Sequence, residues 1–273
     1  MTGHASPRTA SYGALPDQEG DLYLPAHSRA PVVCLLHGGF WRMPHGRDQM
    51  AAVAQDLVSR GYAVWNMEYR RLGVRTAGWP GTFDDVITGI DRLAQFVADG
   101  TDLDLDRVVV CGHSAGGHLA LWAAAHRGRG QHREAGSAVR ITAVVAQAPL
   151  ADLVHAQDRG IGGTAVSELL GGTPSEHAGR YCAASPQALL PLGVPQLIVH
   201  GTADDVVPVE MARDYAKVAR AAGDEVELRE LPDTGHMEFL DPASAAHTVL
   251  TSWLGRLTSQ TTPRHHPRAV APH

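Results

Sequence analysis

Ser114 sits in the run GHSAG, between Gly112 and Gly116. A serine hydroxyl is a poor nucleophile unless a base takes its proton, and that base needs an acid to orient it. Downstream, HGTADDVVP supplies Asp204 and Asp205, and ELPDTGHMEF supplies His236. Ser, then Asp, then His is the chain order of a nucleophile elbow whose partners come from later strand ends. The pattern by itself is weak, since chance gives G-x-S-x-G about 0.14 times in a chain of this composition. Its context has to carry it.

That context is RVVVCGHSAGGHLALW, Arg107 to Trp122. A short β-branched run passes through small residues at 112, 115, 116 and 117 into a helical pattern, as a tight strand-to-helix turn requires. Such a turn lifts the hydroxyl off the sheet and sets it over a helix N-terminus, which favours developing negative charge. Asp204 and His236 also follow strand candidates, and in α/β folds ligands bind beyond the C-terminal ends of the strands. Asp204 is the preferred acid. Asp205 beside it and Asp152 after another strand compete with it, while Asp233 shares the His236 loop. His200 reads as packed inside a strand end, His113 as facing the sheet, and His118 lies one turn into the helix. HGGFW (37–41) follows the strand PVVCLL, and its glycines leave backbone N–H groups open to a carbonyl oxygen. Gly38, Gly39 and Phe40, with the Ala115 N–H, are the candidate oxyanion donors, and His37 reads as a structural hydrogen-bonder.

The elements that must position these residues alternate along the chain. Strand signals fall at 31–38, 63–69, 107–112, 141–149, 195–201 and 226–231. Helical patterns fall at about 47–60, 83–99, 115–127, 208–222 and 242–257. Pro208 fits a first helical turn that Gly223 would end, and Asp241-Pro242 pairs a capping acid with proline at a helix start. Repeated β-α alternation predicts one α/β domain, a mostly parallel sheet with helices on both faces, over 19–257. The stretch 150–190 is too long for a plain crossover and predicts a small lid insertion. Residues 1–18 read as a flexible, irregular segment, and 258–273, proline-rich and without an acid, as a disordered tail.

The 273 residues carry a formal net charge of -6 with 44% hydrophobic residues. No basic signature points to nucleic acid. The locally basic stretch RGRGQHREAGSAVR (127–140) reads as a solvated loop in preference to a binding patch. No apolar run is long enough to span a bilayer, and the N-terminus shows no signal-peptide core. Cys34, Cys111 and Cys182 are widely separated, which argues against a zinc motif or a disulfide framework and makes a reducing cytoplasm the expected setting. No cofactor fingerprint appears, so neither cofactor nor metal is expected.

HGGFW, GHSAGGHLA, HGTADDVVP and DTGHMEF together resemble the α/β-hydrolase superfamily, over roughly residues 20–257. More narrowly they resemble its esterase and arylformamidase branch. HGG followed by an aromatic and Trp is similar to kynurenine formamidases, whereas hormone-sensitive-lipase-like esterases carry a third glycine where this chain has Phe40. The resemblance implies an α/β-hydrolase fold, nucleophile Ser114, acid Asp204, base His236, and an oxyanion loop of Gly38, Gly39 and Phe40 with Ala115. WNMEYRRLG also looks like a family feature, in which Glu68 and Arg70 would support that loop.

Phe40, Trp41, Trp79 and Met237 border the expected site and are candidates for an apolar wall. The insertion is short and not very apolar, which favours a small or medium acyl group. The expected activity is a serine hydrolase acting on a small-molecule ester. The alternatives are an arylformamidase acting on a formyl amide, a biosynthetic hydrolase or acyltransferase, and a binding protein on a hydrolase fold. No nucleic-acid or membrane partner is expected, and apolar residues on the final helix allow a homodimer.

Overall fold

The computed structural model describes residues 6–130 and 137–260. Among them the strands are β1 (Arg8–Ser11), β2 (Glu19–Tyr23), β3 (Ala30–Leu36), β4 (Ala63–Met67), β5 (Leu103–His113), β6 (Ala143–Gln147), β7 (Gln196–Gly201) and β8 (Val226–Leu231). The helices are α1 (Ala51–Ser59), α2 (Gly81–Ala98), α3 (Ala115–Arg127), α4 (Leu153–Asp158), α5 (Ala165–Leu170), α6 (Ala178–Ala184), α7 (Val209–Ala221) and α8 (Ala245–Gln260). The strands form one sheet in the order β1-β2-β4-β3-β5-β6-β7-β8. β3 to β8 run parallel, while β1 and β2 are antiparallel additions at the β4 side.

Why these segments are strands is visible in β5. Val108 and Val110 face the side covered by α2, α3 and the insertion, whereas Val109 and Cys111 face the side covered by α1 and α8. Both faces are buried, so the run is apolar throughout and does not alternate. Each such valine contributes about 1.5–3 kcal/mol by leaving water. The two cysteines packed in these strands are free thiols, and burial pushes Cys111 up to about 12, so neither is reactive.

The chain lays β4 on one side of β3 and then β5 on the other. The strand order therefore reverses between β3 and β5, the kind of switch point beyond whose C-terminal strand ends open α/β sheets bind ligands. Between β6 and β7 come α4, α5, α6 and a 3₁₀ turn at Pro186–Leu189, in the stretch read from sequence as an insertion. The insertion is fastened to α3 by two hydrogen bonds. His118 Nε2–H donates to Ala184 O at 2.9 Å and Trp122 Nε1–H to Ala183 O at 2.9 Å.

Several expectations need correction. The segment 1–18 is not irregular throughout, because Arg8–Ser11 form β1 against β2. Its side chains stay mostly exposed at a sheet edge, so no apolar run marked it. Tyr12 Oη–H donates to Glu68 O and Gln18 Nε2–H to Asp85 Oδ1, each at 2.7 Å, so polar anchors hold the segment down. At the other end α8 runs to Gln260, three residues into the stretch read as a tail, and 261–273 lie outside the described residues. Residues 131–136 of the basic stretch also lie outside them. α8 begins at Ala245 and not at Pro242: Ser244 Oγ accepts the His247 N–H at 3.1 Å, while Asp241 caps only a local turn through Ala243 N–H. No helix among the described residues is long and apolar enough to cross a membrane.

Leu119 of α3 is completely buried against the sheet. Leu119→Ala is expected to cost about 2–5 kcal/mol of stability, read from the urea midpoint. A loss below about 1 kcal/mol would contradict this packing.

Candidate active site

The turn from β5 into α3 is built by exclusion. A Cβ on Gly112 would lie 2.0 Å from Gly116 O, and one on Gly116 would lie 2.1 Å from Leu36 O. Only glycine lets strand and helix backbones approach so closely. Between them Ser114 takes φ 55°, ψ -119°, a conformation a side-chain-bearing residue adopts only under constraint. Ser114 N–H donates to Gln147 O of β6 at 2.7 Å, and Ser114 O accepts His118 N–H at 3.0 Å, which starts the helix. Ala115 is the first helical residue, and the amides of a first turn have no carbonyl one turn back.

Beyond β3, the loop from Gly38 to Trp41 lies beside this turn. A Cβ on Gly38 would sit 3.2 Å from Ser114 Cβ, so its backbone is in contact with the serine. Gly39 has φ +103°, and Phe40 and Trp41 follow with φ 49° and 56°. Arg42 N–H closes the turn onto Gly39 O at 2.9 Å. Two consecutive left-handed residues with large side chains must be held from outside. His37 is one support: its ring nitrogens face Gly38 O at 2.7 Å and Glu68 Oε1 at 2.6 Å, and it stacks on Tyr69 at 4.3 Å. Tyr69 Oη–H donates to His37 O at 2.8 Å. Burial would raise the Glu68 carboxyl, but hydrogen bonds to His37 and Arg47 N–H, with the Arg71 charge, hold it below its ordinary value. Arg70 is bonded to Asp85 instead, as a two-point ion pair.

Asp204 and His236 come together at the C-terminal ends of β7 and β8. Asp204 Oδ2 accepts His236 Nδ1–H at 2.7 Å, with His200 Nε2 at 3.3 Å. Its Oδ1 accepts the Val206 and Val207 N–H groups at 2.9 and 2.8 Å. Burial alone would raise this carboxyl, yet the bonds from His200, His236 and Val207 hold it far below the usual carboxylate range. The three rival acids are elsewhere. Asp205 is exposed, Asp233 is exposed in the His236 loop, and Asp152 is spent on the start of α4, with Oδ1 on His155 N–H and Oδ2 on Gln187.

His113 ties the two halves together. Its Nε2–H donates to His236 O at 2.8 Å, its ring lies 4.7 Å from the His236 ring, and it packs on Phe239. Burial, and next the His236 charge, lower it to about 3, so it is neutral. No direct hydrogen bond joins Ser114 Oγ to His236, and apo sites often hold such bonds long. Sequence reading missed the linking role of His113, and it missed the contact of His200 with Asp204. The i,i+4 spacing of His200 and Asp204 across a strand end was the available signal.

The candidate wall residues scatter. Trp41 has no exposure and packs edge-on against His118, so it lies beneath the loop and cannot form a wall. The left-handed backbone at 40 and 41 turns it inward. Phe40 is half-buried against Gly162 of the insertion, where a Cβ would come 2.4 Å from its ring. Trp79 is half-buried on Phe83 and anchored by its N–H to Leu169 O. Met237 is 59% exposed and stands in solvent beside His236. Arg42 reaches from the loop to Glu168 at 2.8 Å and to Thr164 at 2.8 Å, a second link to the insertion that the sequence did not suggest. Among the described residues no cluster of three or more His, Cys, Asp or Glu side chains can hold a metal ion.

A parallel sheet with a strained serine turn at its switch point, and later strand ends converging on it, defines an α/β-hydrolase fold. The chain belongs to the BD-FAE family, whose model matches residues 20–218. It is 30% identical to Esterase LipC of Mycobacterium tuberculosis over 232 residues, covering 81% of this chain and 56% of LipC. It is also 30% identical to Kynurenine formamidase of Danio rerio over 111 residues, covering 40% of this chain and 35% of that relative. The chain spans about half the length of the curated relatives it matches over most of its own length. Among solved structures, a truncated carbohydrate esterase from gut microbiota superposes with TM-score 0.82 at 22% identity, covering 94% of this chain and 97% of that one. The esterase Est2 of Thermogutta terrifontis gives TM-score 0.75 at 21% identity, covering 96% and 95%.

His113 and His118 are lowered to about 3 and about 4, in both cases first by burial. Between those values and about 6.5 the unfolded chain binds protons that the folded chain does not, so stability falls as pH falls. From pH 7 to pH 5 each histidine is expected to remove about 2 kcal/mol. Urea unfolding at the two pH values reads this. His118→Gln is expected to remove about half of the difference, and an unchanged pH dependence in that variant would contradict it.

Proposed function

We propose that this chain is a serine carboxylesterase acting on small or medium acyl esters. Ser114 is the nucleophile, His236 the general base and Asp204 the orienting acid, with Gly38, Gly39, Phe40 and Ala115 offering backbone N–H groups to the oxyanion. The observation that carries this reading is the 2.7 Å bond from His236 Nδ1–H to Asp204, on a loop bonded to the residue preceding Ser114. That bond fixes the tautomer, leaving Nε2 as the basic nitrogen.

In this mechanism His236 Nε2 takes the Ser114 proton as Oγ attacks the ester carbonyl carbon. The carbonyl π electrons move onto oxygen, where the backbone N–H groups stabilise the charge. Collapse breaks the bond to the leaving alkoxide, which receives the proton from His236. Water then attacks the acyl-enzyme by the same route and releases the acid and Ser114. Asp204, held as a carboxylate by four hydrogen-bond donors, stabilises the imidazolium without taking its proton.

A second reading is supported by the partial match to a kynurenine formamidase and by the HGG-aromatic-Trp loop. The same residues would cleave an N-formyl anilide. The esterase reading is preferred because the match to LipC extends over 81% of this chain.

Graded p-nitrophenyl esters assayed beside N-formylkynurenine decide between the two. Ser114→Ala is expected to lower kcat at least about 10⁴-fold with the fold retained by circular dichroism. Asp204→Asn is expected to lower it about 10³–10⁴-fold, because the amide supports the wrong tautomer. Undiminished turnover in Ser114→Ala would remove the proposal, and strong preference for the formyl amide would replace it with the second reading.

A further inference from the structure

A cavity of about 220 Å³ lies at the opposite end of the sheet from Ser114. Its apolar lining comes from Val32, Tyr62, Val109, Val194 and Leu257. Val109 lies on β5 five residues before Ser114, which follows directly after that strand, and this places the cavity roughly 17 Å from the proposed nucleophile. A cavity of about 150 Å³ accepts benzene, so this one has room for an aryl ring or a chain of five or six carbons.

The charged part of the lining is Arg107, Arg129, Arg140 and Asp106. Arg107 is already engaged, with Nε donating to Asp104 Oδ2 at 2.7 Å. Arg129 and Arg140 are exposed, and neither forms an ion pair with a described carboxylate. Among the described residues of the lining, the carboxylate set against them is that of Asp106 alone. The mouth is therefore locally positive on a chain of net charge -6. The basic stretch 127–140, read from sequence as a solvated loop, supplies both arginines, while Arg127 at its start is taken up by Asp91 at 2.9 Å.

We propose that this cavity is a second ligand site, which takes a small amphipathic carboxylate with its apolar end among the valines and its head on Arg129 and Arg140. A guanidinium fork matches carboxylate geometry, and the apolar walls exclude a fully hydrated anion such as chloride or sulfate. The ligand does not touch Ser114, so occupancy stabilises the chain without displacing an ester substrate. Binding here requires nothing of the proposed catalytic residues.

The test is calorimetric titration of hexanoate, with hexanol and hexylamine as neutral and cationic probes of the same chain length. The parent protein is compared with Arg129→Ala/Arg140→Ala, whose two exposed side chains can be removed without opening the core. Saturable hexanoate binding is expected, at least tenfold tighter than hexanol and absent for hexylamine. The double variant is expected to weaken it tenfold or more, with p-nitrophenyl ester turnover within twofold of the parent. Val194→Phe, which fills the cavity, is expected to weaken hexanoate and hexanol alike. Hexanoate affinity unchanged in the double variant, equal affinity for hexanol, or no saturable binding would each overturn the proposal.

Discussion

The structure turns on one close approach. Where β5 passes into α3, Gly112 lies against Gly116 O, and Gly116 lies against Leu36 O at the end of β3. With no room for a Cβ at either position, three backbone segments meet at the point where strand order reverses. That contact fixes the left-handed conformation of Ser114 and presses the Gly38 backbone against it. A larger residue at 112 or 116 would separate the serine from the loop that accompanies it, even with every other side chain in place.

Around this junction the supports are polar and mostly buried. His37, Glu68, Tyr69, Arg47 and Arg71 hold the loop after β3 from below, and His113 holds the His236 loop from the side. Buried polar networks of this kind are costly when half-satisfied and rigid when complete, which suits a loop with two left-handed residues in succession. The apolar layers on the two faces of the sheet give the stability that such a centre consumes. Asp204, with both oxygens fully engaged, shows the same logic at the opposite side.

Much of this was legible from the residues. The parallel strands read as short β-branched runs because both their faces are buried, and the helix after Ser114 reads plainly because glycine and alanine prevail where it meets the sheet. β1 was illegible because an exposed edge strand has no apolar face to display. Which of Asp152, Asp204 and Asp205 bonds His236 was only partly legible, since adjacent carboxylates share a sequence context and diverge in direction. Trp41 read as a wall residue because its loop borders the expected site, but its left-handed backbone, which no periodicity reports, leaves it fully buried. The linking role of His113 depended on a contact 123 residues away in sequence.

The insertion, finally, is not an independent flap. His118 and Trp122 reach from the helix behind Ser114 to the carbonyls of Ala184 and Ala183, and Arg42 reaches from the loop after β3 to Glu168 and Thr164. The segment between β6 and β7 is thus tied both to the helix that follows Ser114 and to the loop after β3. Transplanting a foreign segment onto this scaffold would have to reproduce two carbonyl positions, one acidic side chain and one hydroxyl, or the graft would distort the parts it was meant to leave alone.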